Sequence, residues 1–60
     1  MNRIKEKRLA LNITQEELAE KLCIKQSAVA KWENGEAMPR ADKLLKLARI
    51  LGCTVDELLK

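Results

Sequence analysis

Residues 15–35 read Gln15-Glu16-Glu17-Leu18-Ala19-Glu20-Lys21-Leu22-Cys23-Ile24-Lys25-Gln26-Ser27-Ala28-Val29-Ala30-Lys31-Trp32-Glu33-Asn34-Gly35. Leu18, Ala19 and Leu22 recur at the three- and four-residue spacing of one helical face, and Val29 with Trp32 form a second such face. Thr14 stands just ahead, three residues before Glu17. That is a capping box, in which the hydroxyl accepts an orphan N–H while the glutamate reaches back to the cap. Ile13 and Leu18 flank it as a hydrophobic staple. Gly35 suits the left-handed residue that stops a helix, with Pro39 close behind. The stretch therefore predicts two helices, 14–22 and 26–34, joined by a short turn. Ala19 is small enough to let them cross closely, and Val29, ten residues on, projects into their joint.

The same signals extend outward. Thr54 and Glu57 repeat the capping box, with Cys53 against Leu58, and start a last helix at 54–59. Gly52 stops a helix over 40–51, whose inward stripe is Leu44, Leu47, Ala48 and Leu51. Asn12 tolerates positive φ and ends a first helix over 2–11 carrying Ile4 and Leu11. Five short helices with gaps of a few residues make an all-α chain of one domain, 1–60, without linker or repeat. Val55, Leu58 and Leu59 complete the expected core. Leu45, Ile50 and Leu59 exceed what so small a core holds, and with Leu58 they form a candidate dimer surface on the C-terminal helices.

Composition closes other readings. Of 60 residues, 47% are hydrophobic and 35% charged, too apolar and too patterned for a disordered tail. One aromatic residue, Trp32, and two glycines argue against a β-rich fold. No apolar run approaches the ~18–20 residues of a membrane span, and the first residues lead into no signal-peptide core. Cys23 and Cys53 form no C-x-x-C motif and read as reduced thiols of a cytoplasmic protein. Without histidine there is no imidazole base and no histidine-containing zinc site, and neither glycine sits in a phosphate-binding loop. No enzyme, metal, cofactor or small-molecule ligand is indicated. A net charge of +3 mildly favours an anionic partner.

From Arg8 through T-Q-E-E-L-A, W-E-N-G and Leu44-Leu45-Lys46-Leu47-Ala48 to V-D-E-L-L, the chain resembles the phage repressor/Cro-type helix-turn-helix proteins, the Xre family. The resemblance implies a five-helix, lambda-repressor-like DNA-binding domain, with the helix-turn-helix in the second and third helices. It also implies a transcriptional regulator, a repressor that binds an inverted-repeat operator in double-stranded DNA as a weak homodimer. Helix 26–34 would enter the major groove and present Gln26, Ser27, Ala30 and Lys31 to base edges. Chemistry agrees: glutamine suits adenine, lysine suits guanine, serine serves several bases, and a methyl meets thymine. Gln15 and Asn34 match backbone-contact positions, which set register rather than read sequence. Lys25 would gain a nearby phosphate, and Arg40, near the start of the fourth helix, would reach the adjacent strand or minor groove. Arg8 and Glu33 match a pair that ties the first helix to the end of the third. A carboxylate so near Trp32 needs such a partner, and a guanidinium can give it two parallel hydrogen bonds.

Three residues depart from the pattern. Cys23 stands where the family commonly has glycine, in a position expected to need positive φ. Lys25 replaces the usual Ser or Thr cap, and Lys7 a common apolar residue of the first helix. These bear on stability rather than on the DNA-facing groups. A protein-interaction module on the same fold, such as an antitoxin or adaptor, is the competing reading, with Glu16 and Glu20 as its facing surface. The polar, basic face of residues 26–31 favours DNA. With no segment to sense a ligand, control is expected through concentration, a partner or proteolysis.

Overall fold

The computed structural model describes residues 2–59 and places in order α1 (Ile4–Ala10), α2 (Gln15–Leu22), α3 (Gln26–Asn34), α4 (Ala41–Leu51) and α5 (Val55–Leu59), with no strand among the described residues. All four junctions close in one way. Asn12, Cys23, Gly35 and Gly52 take left-handed φ values of 57°, 57°, 78° and 67°. The residue after each donates its N–H to a carbonyl five positions back: Ile13 to Arg8 at 3.2 Å, Ile24 to Ala19 at 3.0 Å, Glu36 to Lys31 at 2.9 Å and Cys53 to Ala48 at 3.0 Å. The last-turn carbonyls thus find partners within the chain, and only three to six residues separate successive helices.

Cys23 is the residue least suited to this role, because a Cβ in the left-handed region meets the following carbonyl oxygen. Cys23→Gly is expected to stabilise the protein by about 0.5–1 kcal/mol, read as a rise of a few degrees in Tm. A melting temperature that stays put or falls would show that the turn carries no strain.

Helix starts divide into two kinds. At α2 the Thr14 hydroxyl accepts from the Glu17 N–H and the Glu17 carboxylate from the Thr14 N–H, both at 3.0 Å. Thr54 and Glu57 repeat this at α5, at 3.1 and 3.3 Å. Lys25 and Arg40 stand at the N-caps of α3 and α4 without a side-chain cap bond. The first helix begins at Ile4, two residues later than its pattern predicts. Asn2 is used instead as a clamp: its Oδ1 accepts from the Ile4 N–H at 3.1 Å, and its Nδ2 donates to the Trp32 carbonyl at 2.9 Å. The Arg3 N–H adds a bond to the Leu58 carbonyl at 2.8 Å, tying α1 to α5.

The core gathers Ile4, Leu18, Ala19, Leu22, Val29, Trp32, Leu47, Ala48, Leu51 and Leu58, with Ile13, Ile24, Leu44, Ile50 and Val55 packed around it. Across it, the Lys43 ammonium donates to the Leu22 carbonyl at 3.1 Å, placing a cation at the negative end of α2. Three apolar expectations are corrected. Leu11 is exposed because α1 ends at Ala10, which turns residue 11 off the inner face; that face holds only Ile4 and Arg8. Leu59 lies on the surface, while Leu58 has no exposed area and belongs to the core, so it offers no dimer contact. Successive helical residues point about 100° apart, and only one of this pair can face inward. Lys7, in the atypical position on α1, lies 3.5 Å from the Glu57 carboxylate in a half-exposed ion pair that contributes little. No helix among the described residues is long and apolar enough to cross a membrane.

Candidate nucleic-acid interface

The third helix buries Val29 and Trp32 against α2 and the core, and this fixes which side chains face out. Ser27, Lys31 and Asn34, at spacings of four and three, form the exposed ridge. Gln26 is exposed at the first turn, beside α2. Ala30 is half-buried on the same flank, so its methyl stands lower than the ridge. Along the other flank runs an open groove floored by Ile24, Ala28, Trp32 and Ala37, with Lys25, Ser27 and Lys31 at its rim. Sequence patterning gave no sign of this groove, since its far wall is Ala37 in the loop after α3. Arg40 is exposed at the N-cap of α4. Among the described residues, no carboxylate lies within 4.0 Å of Lys25, Lys31 or Arg40.

Beneath the ridge lies a polar network. The Arg8 guanidinium donates from Nε to Glu33 Oε2 at 2.7 Å and from one terminal nitrogen to Oε1 at 3.2 Å. Its other terminal nitrogen donates to the Ile13 carbonyl at 2.7 Å. The Arg8 and Glu33 side chains are 8% and 2% exposed, so this is a desolvated, two-pronged pair. Gln15 joins it by donating from Nε2 to Glu33 Oε1 at 3.0 Å. Gln26 in turn donates from Nε2 to Gln15 Oε1 at 3.4 Å. Burial pushes the Glu33 carboxyl up, but the hydrogen bonds from Arg8 and Gln15 and the charges of Arg8 and Lys5 outweigh it and hold the group below its ordinary value of 4.5. Glu33 is therefore ionised at neutral pH, and no buried side-chain nitrogen or oxygen among the described residues lacks a partner. The link from Gln15 to Gln26 was not legible in the sequence, because it depends on how closely α2 and α3 cross.

An arrangement of this kind has known counterparts. Residues 4–58 match the helix-turn-helix family HTH_3. The chain belongs to this family. The HTH-type transcriptional activator BcrR of Enterococcus faecalis is 37% identical over 57 residues, which are 95% of this chain and 28% of BcrR. The 26 kDa repressor protein of Escherichia phage HK022 is 46% identical over 46 residues, 77% of this chain and 20% of the repressor. The helix-turn-helix chain thus spans less than a third of either relative. Its structure superposes with a TM-score of 0.91 on the P22 c2 repressor, crystallised in complex with synthetic operator 9T; the two are 36% identical, over 97% of this chain and 88% of that one. The five-helix, repressor-type fold expected from the helix-turn-helix motifs is the fold observed.

Proposed function

We propose that this protein is a sequence-specific, double-stranded DNA-binding transcriptional regulator of the cytoplasm, acting as a repressor, with α3 inserted in the major groove of an inverted-repeat operator. The observation that carries this is the exposed face of α3, where Gln26 and Ser27 stand in the first turn, the end that a groove admits first, with Lys31 one turn on, all clear of any internal ion pair. Ala30, set lower on the flank, offers a methyl. Lys25, Asn34 and Arg40 flank these three side chains where phosphates would lie, and the free N–H groups at the start of α2 beside Gln15 add a further anion contact.

The test is a selection from random duplex DNA with the purified protein, followed by binding measurements on the enriched site. Gln26→Ala and Lys31→Ala are each expected to lose roughly 1–3 kcal/mol and to flatten preference at one base pair. Lys25→Ala, a phosphate contact, is expected to weaken all sequences alike and to lower the salt dependence by about one ion. No enriched sequence, or ridge variants that bind as the parent does, would favour the protein-interaction reading.

We further propose a weak homodimer through the exposed Leu45 and Leu59, with the half-buried Ile50 between core and surface. Half-sites would then recur roughly one helical turn, about 34 Å, apart. Sedimentation at high micromolar concentration, with and without the enriched duplex, checks this. A strict monomer on a single half-site would sink it.

A further inference from the structure

We infer that Glu33, which no DNA atom can reach, is a positioning residue that sets the orientation of the Gln26 amide and so selects adenine over guanine at the base pair Gln26 reads. The inference rests on the DNA-reading role proposed above for α3. An ionised carboxylate has no proton to give, so whatever bonds it must donate. Gln15 can bond Glu33 only through its N–H₂ end, as it does at 3.0 Å. Its carbonyl oxygen is thereby turned away from Glu33 and toward Gln26 at the start of α3. That oxygen can only accept, so Gln26 must present its own N–H₂ end, at 3.4 Å.

In the observed geometry the polarity passes from Glu33 through Gln15 to Gln26. It ends with Gln26 showing its carbonyl oxygen and its remaining N–H to the groove. An acceptor beside a donor is the complement of adenine, which offers the N6 amino group and the N7 acceptor. Were the chain of bonds reversed, Gln26 would turn its N–H₂ outward, which suits the two acceptors of guanine, O6 and N7. Arg8 holds both carboxylate oxygens, and with 2% of the Glu33 side chain exposed there is little room for water to take the place of Gln15.

The test begins with the base pair at which Gln26→Ala flattens preference in the random-duplex selection. Binding is then measured on that enriched duplex and on one with guanine for adenine at the same position. The parent protein is expected to prefer adenine by about tenfold or more. Arg8→Lys keeps the carboxylate and its charge partner, and is expected to lower the melting temperature while leaving the adenine preference in place. Gln15→Leu, which leaves the ion pair intact, is expected to bring the preference to within about twofold, and so is Arg8→Met with Glu33→Leu wherever that pair folds. The inference is overturned if Gln15→Leu keeps the full preference, if Arg8→Lys loses it in step with melting, or if the parent protein selects guanine there. A Gln26→Ala variant that flattens no position overturns the DNA-reading role of α3 itself, and the relay with it.

Discussion

Arg8→Met is expected to unfold the protein, or nearly so, at room temperature. The first helix buries only Ile4 and Arg8, so its attachment depends on what the guanidinium does. That group makes three bonds, two to Glu33 and one to the Ile13 carbonyl. Methionine fills the volume but leaves a carboxylate with 2% side-chain exposure and no counter-charge. Breaking a buried pair in this way costs about 3–5 kcal/mol, against a total of about 3–9 kcal/mol for a chain of this length. Adding Glu33→Leu removes the stranded charge and should recover part of the loss. Thermal melting of the three variants decides it. An Arg8→Met protein that melts with the parent would mean the pair is screened by solvent.

Acid acts on the same pair. The folded Glu33 gives up its proton more readily than the unfolded one, so its contribution to stability is complete above the ordinary value of 4.5 and is lost as pH falls through the lower folded value. Glu17 and Glu57 shift the same way, each through hydrogen bonds with the backbone and hydroxyl of its cap threonine. The parent should therefore hold its Tm from neutrality down to about this pH and lose it below. The Arg8→Met, Glu33→Leu double variant should show a shallower acid limb.

The second large effect belongs to Leu58. With no exposed area and its carbonyl bound to the Arg3 N–H, it joins α5 to both the core and α1. Leu58→Ala is expected to cost about 2–5 kcal/mol, the range for emptying a packed leucine site. Leu59→Ala, one residue on and 42% exposed, should stay within about 0.5 kcal/mol of the parent and change only self-association. Chemical denaturation monitored by Trp32 fluorescence separates the two. Equal midpoints for both variants would place Leu58 at the surface after all.

Leu58 and Leu59 also mark where pattern reading stops. Five residues make less than one and a half turns, too few for periodicity to decide which of two adjacent leucines faces inward. Leu11 failed for a related reason, as the helix stops one residue short of it. The capping boxes at Thr14 and Thr54 were legible because their bonds lie within four residues of sequence. So were Gly35 and Gly52 as stops, whose conformation suits few other residues. The left-handed turn at Cys23 was visible only through resemblance to related chains, because nothing about cysteine signals it. Within the candidate interface, the exposure of Gln26, Ser27 and Lys31 followed from the burial of Val29 and Trp32. The groove beside Lys25 and the bond from Gln15 to Gln26 did not, since both arise from the crossing of separate segments.

The four repeated helix stops have a consequence for the speed of folding. Each closes within six residues, so α1 to α4 can define their ends before any distant part of the chain has met. Proteins dominated by such short-range closures reach the native state in microseconds to milliseconds. The slower encounters are those joining remote segments, Arg8 with Glu33, Asn2 with Trp32 and Arg3 with Leu58. All three fasten the same element, so α1 is expected to dock after α2, α3 and α4 have come together. Interactions completed after the barrier slow the reverse reaction more than they speed the forward one. With that order the arginine clamp would act as a latch on unfolding, and the lifetime of the folded chain, more than its rate of formation, would depend on it.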